Sequence, residues 1–115
     1  MRLDILLAGL LFLAAGCGGE DPAVVWLARH GEAPRWISEN VARRRIVTGM
    51  PKDAVIAVIA SMGFRIIEEK ALPGGTEHIV YREFAYDAVG KRHSARRFLI
   101  FRDGVLVSID TFPER

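Results

Sequence analysis

Cysteine and histidine are scarce in this chain, and their scarcity excludes several kinds of site. Cys17 is the only cysteine among the 115 residues, so the chain can form neither an internal disulfide nor a thiolate metal cluster. The three histidines, His30, His78 and His93, are scattered, and none has a second ligand at a spacing that would build a metal site. The sequence therefore predicts no metal and no cofactor.

The apolar run at residues 6–17 is too short to cross a bilayer. It reads LLAGLLFLAAGC, about a dozen residues where a membrane-spanning helix needs about 20. Its N-terminal position is typical of the hydrophobic region of a secretory signal. Its end, Ala14-Ala15-Gly16-Cys17, resembles a bacterial lipobox, in which the residues before the cysteine are removed and the thiol is acylated. Ala14 stands where the lipobox prefers leucine, and a plain signal peptide is the alternative.

The charge and composition indicate a small globular protein. Its 16 basic and 14 acidic residues give a net charge of +2, and half of all residues are hydrophobic. Such a slight basic balance suits an anionic membrane surface or an acidic partner, and the prediction is that the chain binds no nucleic acid. We expect a lipoprotein signal peptide at residues 1–16, a tether and arm at 17–34, and one small domain at 35–115.

Periodicity predicts two helices at the start of that domain. Ile37 and Val41 lie four apart, which favours a helix over residues 36–47. Gly49 can take the left-handed conformation that ends a helix, and Pro51 suits the first position of the next. Residues 54–62 (AVIAVIASM) then predict a buried helix. For residues 23–28 (AVVWLA) a short strand and an apolar patch docked on the domain remain alternatives.

The remainder predicts β-structure. Residues 64–69 are expected to form a first strand or an extended arm. Further strands are expected at residues 77–86, 97–102 and 105–112, and Asp103-Gly104 is a strong hairpin signal between the last two. Alternation places Val80, Phe84 and Tyr86 on one face of the second strand and Ile79 and Tyr81 on the other. The fold class is therefore α+β, with two N-terminal helices packed on a three- to four-stranded antiparallel meander sheet.

The order of three phrases resembles the BamE (SmpA/OmlA-like) lipoproteins. After the lipobox come residues 47–55 (VTGMPKDAV), the aromatic strand 80–86 (VYREFAY) and the hairpin phrase 101–106 (FRDGVL). Two departures are Pro51, where that family has a Thr or Ser cap, and Gly63-Phe64, where it has a proline-containing phrase.

The resemblance implies a non-catalytic outer-membrane lipoprotein that helps β-barrel insertion or envelope integrity. Its implied partners are the membrane, through acylated Cys17, anionic phospholipid and outer-membrane assembly proteins. Gly18 follows the cysteine where Asp would signal inner-membrane retention in some bacteria, so we expect the outer membrane, facing the periplasm, with the inner membrane as the alternative. Six basic residues are candidate lipid or partner contacts: Arg43, Arg44, Arg45, Arg92, Arg96 and Arg97.

Two other functions stay open. One is an inhibitor or other protein-binding lipoprotein, which would use an exposed sheet face carrying Ile79 and Tyr81. The other is an enzyme, because Arg29-His30-Gly31 after an apolar run resembles the signature of histidine phosphatases. That chemistry needs a second histidine near His30. The sequence therefore predicts no catalytic residue.

Overall fold

The computed structural model describes residues 19–114 and shows three helices followed by four strands. The predicted α+β class, with helices preceding an antiparallel sheet, is confirmed. None of the helices in this described part is long and apolar enough to cross a membrane. The elements are α1 (Pro22–Arg29), α2 (Arg35–Ala42), α3 (Lys52–Ser61), β1 (Arg65–Leu72), β2 (Thr76–Tyr86), β3 (Arg92–Arg102) and β4 (Val105–Glu114).

The sheet is an antiparallel meander in the order β1-β2-β3-β4. Its central pair, β2 with β3, extends without interruption from the Thr76–Arg102 pair to the Tyr86–Arg92 pair. The predicted hairpin turn joins β3 to β4, where Asp103 and Gly104 both adopt positive φ (51° and 80°). Two consecutive left-handed residues give the turn whose twist matches that of the flanking strands, which explains the strength of the Asp-Gly signal.

Residues 23–28 form helix α1 rather than the strand that was one alternative, and their apolar residues pack into the domain core, as the docked-patch alternative expected. Asp21 caps the helix by accepting a hydrogen bond from the Ala23 backbone N–H (2.9 Å), and Pro22 occupies the first helical turn. Ala23 and Trp26 are buried in the core. The run of eight residues is too short for periodicity to separate a helix from a strand.

Helix α2 ends at Ala42 rather than at the predicted residue 47. Arg43 is its C-cap, and Arg44 follows in the left-handed conformation (φ 55°), which reverses the chain. A left-handed arginine is uncommon because its Cβ crowds the backbone. In this conformation Arg44 forms an ion pair with Asp21. Ile37 and Val41 are buried, as their spacing predicted.

The core lies between the helices and one face of the sheet. Helix α3 is buried on most of its surface, as expected from its sequence, and packs above Ile79 and Tyr81 of β2. Val80 points to the opposite face, yet it is only 2% exposed because the neighbouring strand residues, Phe98 among them, enclose it. The core residues contributed by β3 and β4 are Leu99, Phe101 and Leu106.

The connection between α2 and α3 holds the helices to the edge of the sheet. The Gly49 N–H donates to the Leu106 carbonyl (2.7 Å), and the Leu106 N–H donates to the Met50 carbonyl (2.9 Å). Met50 is completely buried. Gly49 has a φ of 96° and lies under Trp36, whose ring would be 3.0 Å from an added Cβ. The Gly-Met phrase is therefore a structural joint between the helical layer and β4.

Candidate functional site

The predicted lipidation site lies just before the described part of the chain. Cys17 and the apolar run of residues 6–17 fall outside residues 19–114. Helix α1 begins at Pro22, so only residues 18–21 separate its first residue from Cys17. The contacts of Asp21 therefore decide how far from Cys17 the packed domain begins.

Asp21 joins three parts of the helical layer through what we call the Asp21 clamp, formed by Asp21, Arg44 and Ser61. The Ser61 hydroxyl donates to Asp21 Oδ1 (2.5 Å), and the Arg44 guanidinium pairs with Asp21 Oδ2. Arg44 Nε also donates to the Ser61 hydroxyl oxygen (2.9 Å). The clamp ties the start of α1 to the end of α3 and to the turn after α2.

The clamp also changes the acidity of its carboxylate. Hydrogen bonds from Ser61 and Arg44 favour the ionised form and lower the pKa of Asp21 to about 2. The helix N-terminus that Asp21 caps favours the same charge. The carboxylate therefore stays ionised, and the clamp intact, over the whole neutral and mildly acidic range.

We expect acid to weaken the fold through this clamp. The folded pKa of Asp21 lies below that of an unfolded aspartate, about 3.9, so the clamp stabilises fully above about pH 4 and less as pH falls towards 2. Asp21→Asn should lower the stability at pH 7 and flatten this part of the pH profile. Urea unfolding of wild type and of Asp21→Asn between pH 7 and 2 measures this pH dependence.

Glu114 provides an internal control, because its pKa is also lowered to about 2 by hydrogen bonds from Arg82 and Arg96. The contribution of Glu114 to stability is the same in wild type and in Asp21→Asn, so it cancels when the two pH profiles are subtracted. Parallel pH profiles for the two proteins would show that the Asp21 charge contributes nothing to the fold.

The six predicted basic contacts have different environments. Arg44 belongs to the clamp, and Arg97 Nη1 donates to the Tyr81 hydroxyl (3.1 Å) while lying 3.5 Å from a Glu83 oxygen. Arg96 is on the other face of the sheet, with its Nε 2.8 Å from Glu114. The two neighbouring arginines of β3 therefore do not form one basic cluster.

The remaining three arginines are more available. Arg92 lies over the ring of Phe84, 4.5 Å from its centroid, in a cation–π contact. Arg43 and Arg45 are exposed and have no ion pair with any residue of the described range 19–114. Arg45 lines a shallow depression of about 350 Å³ that also reaches Arg44 and Arg97. Two exposed arginines, Arg43 and Arg45, thus lie next to the clamp in the sequence.

The RHG motif ends helix α1 and does not meet a second histidine. His30 caps the helix, with Nδ1 2.8 Å from the Trp26 carbonyl and its ring stacked on the Trp26 ring at 4.1 Å. His30 Nε2 lies 3.4 Å from an Asp53 oxygen at the start of α3. His78 pairs instead with Glu68, and His93 with Asp87.

These positions remove the geometry that the phosphatase interpretation required. Both other histidines belong to the sheet, whereas His30 lies between two helix ends. Within residues 19–114, no group of three His, Cys, Asp or Glu side chains could hold a metal ion.

Ile79 and Tyr81 are not on an exposed face, contrary to what the inhibitor hypothesis needed. Both are completely buried beneath the helices. The open face carries a different apolar group, Phe98, Ile100 and Phe112, around a shallow depression of about 440 Å³. The rings of Phe98 and Phe112 meet edge to face at 5.1 Å. Sequence alternation alone could not say which face the helices cover.

Comparisons of the chain with protein families, with curated proteins and with solved structures give no match.

Proposed function

We propose that the chain is a lipoprotein of the bacterial envelope, anchored through acylated Cys17 in the outer membrane and facing the periplasm. Its domain would act without catalysis, as a scaffold or assembly factor. The Asp21 clamp is the observation that carries the proposal, because it starts the packed domain immediately after the candidate anchor. The sequence resemblance to the BamE lipoproteins adds the assembly of outer-membrane β-barrels as the process served.

The short connection has a physical consequence for such a protein. Four residue steps separate Cys17 from Asp21, and an extended chain covers at most about 14 Å in that span. The domain would therefore stay in contact with the membrane surface rather than exploring the periplasm. The exposed Arg43 and Arg45, beside the clamp, would then lie close to anionic headgroups.

Metabolic labelling tests the anchor. Wild type should incorporate radioactive palmitate and fractionate with the outer membrane, whereas Cys17→Ser should incorporate none and leave the membrane fraction. Because Cys17 is the only cysteine, no other thiol can take the label. An unlabelled wild type would refute the lipoprotein proposal.

A pull-down from detergent-solubilised envelope tests the assembly role, with the acylated protein and the Cys17→Ser variant as baits. Recovery of barrel-assembly components by the acylated form supports the proposal, and their absence contradicts it. A periplasmic protein recovered equally by both baits would favour the inhibitor function instead. The apolar group Phe98, Ile100 and Phe112 on the open sheet face is the observation that keeps this second candidate.

A further inference from the structure

One end of the sheet extends past its neighbours as the β2–β3 hairpin, whose last turn, residues 86–92, we call the hairpin tip. Strands β2 and β3 pair as far as Tyr86 with Arg92. Strand β1 begins opposite Arg82, and β4 ends opposite Ser94. At about 3.3 Å per residue, Tyr86 at the base of the tip stands roughly 13 Å beyond the first residue of β1.

The hairpin tip exposes apolar side chains next to basic ones. Val89 is 87% exposed and Tyr86 is 70% exposed, the two largest values among the exposed large hydrophobic residues of the described chain. Lys91 and Arg92 follow directly and are also exposed. Most of the surface of both side chains is therefore in contact with solvent rather than with the domain.

The backbone of the tip is held in a fixed shape. Asp87 Oδ1 accepts hydrogen bonds from the N–H groups of Val89 (3.0 Å) and Lys91 (2.9 Å), and its other oxygen lies 2.9 Å from His93 Nε2. These hydrogen bonds lower the pKa of Asp87, His93 being the largest cause. The Asp87 carboxylate is thus hydrogen-bonded within the turn, whereas the Val89 side chain is exposed.

The hairpin tip lies at the same end of the molecule as the Asp21 clamp. Ser61 of the clamp is the last residue of α3, and the chain passes from it into Phe64 and β1. The Phe64 ring lies 6.4 Å from the Phe84 ring, on which Arg92 stacks. The opposite end carries the β3–β4 turn and the α3 N-terminus. The N-terminal connection to Cys17 and the tip therefore emerge from one end.

We propose that the hairpin tip is a second membrane contact, which enters the headgroup region of the bilayer that holds the acylated Cys17. Val89 and the Tyr86 ring would lie at the boundary of the acyl chains, where an aromatic ring with a polar hydroxyl is well accommodated. Lys91 and Arg92 would face anionic headgroups, which attract basic side chains near the surface. This inference rests on the lipid anchor of the proposed function.

Two points of attachment fix an orientation that one flexible anchor cannot. With the clamp end and the tip both on the membrane, the strands stand away from the surface. The β1–β2 turn at Pro73–Gly75 and the β3–β4 turn then form the end that is farthest from the bilayer. The open face with Phe98 and Phe112 remains accessible from the side, where a protein partner could bind it.

Depth-dependent quenching tests the second contact on the acylated full-length protein. A thiol-reactive fluorophore is attached at Val89→Cys, or at Ala71→Cys as the matched control, since acylation blocks Cys17 and Ala71 is an exposed residue at the far end of β1. Each protein is reconstituted in vesicles of phosphatidylcholine and phosphatidylglycerol containing brominated acyl chains. We expect bromolipid to remove most of the emission at position 89 and little at position 71.

The outcomes separate this inference from the lipoprotein proposal. A protein that carries palmitate and floats with the vesicles, but whose position 89 is quenched no more than position 71, refutes the tip contact alone. Absence of palmitate refutes the lipoprotein proposal and the orientation that depends on it. Introducing Val89→Asp beside a probe at Tyr86→Cys should lower the quenching of that probe, and unchanged quenching would contradict insertion of the tip.

Discussion

Replacing Trp26 with alanine should lower the free energy of unfolding by about 3–5 kcal/mol. Trp26 is 6% exposed, belongs to the main core cluster and stacks on His30. Its removal would leave a cavity between α1 and α3. A helix as short as α1, with eight residues, cannot shift enough to fill that cavity. Urea denaturation followed by circular dichroism measures the loss.

Val24 supplies the matched control on the same helix. It lies two residues away and is 49% exposed, so Val24→Ala should change stability by no more than about 0.5 kcal/mol. A Trp26→Ala cost as small as that of the control would mean that α1 is an arm resting on the domain, as the sequence suggested. A large difference would make residues 22–29 part of the cooperative unit.

The parts of this fold that sequence predicts well are those with local signals. The buried helix α3 follows from an apolar run with Pro51 before it and Gly63 after it, all within a few residues. The β3–β4 hairpin follows from Asp103-Gly104, because two residues determine the turn. Helix α1 has neither enough length nor a clear period, so tertiary burial of Trp26 decides its structure.

The candidate site was less predictable because its parts are far apart in the chain. Arg44 lies 23 positions after Asp21 in the sequence, and Ser61 lies 40 positions after it. From the sequence, Asp21 belongs only to the expected tether and arm at residues 17–34, and Arg44 is one of six candidate basic contacts. Pairing of charges over such separations depends on the packed fold, which periodicity does not reveal.

The same limit applies to the hairpin tip. Alternation separates Tyr86, which is exposed, from Tyr81, which is buried. The tip projects because β1 begins only at Arg65, opposite Arg82, and so does not flank the last residues of β2. Strand register depends on pairing across the whole sheet, so no local pattern indicates that Val89 stands at an end of the molecule.

We further expect Tyr81→Ala to destabilise the domain by about 3–5 kcal/mol, the range for deleting a large aromatic side chain from a core. Tyr81 is completely buried, and its ring lies 6.0 Å from that of Phe64. Burial also raises the pKa of its hydroxyl, which stays neutral and accepts the hydrogen bond from Arg97. Chemical denaturation of Tyr81→Ala and of the matched variant Tyr81→Phe separates the contribution of the ring from that of the hydroxyl.

Tyr81→Phe keeps the ring and removes only the oxygen, which leaves Arg97 Nη1 with the more distant Glu83 oxygen, 3.5 Å away. We expect it to cost about 1 kcal/mol, the net value of one hydrogen bond. If the ring serves core packing, the alanine variant should be much less stable than the phenylalanine variant. If Tyr81 instead contacted a partner, as the inhibitor hypothesis requires, both variants would leave the free energy of unfolding unchanged and would weaken binding. A large loss of stability in Tyr81→Ala would instead show that the ring serves the core, as its complete burial indicates.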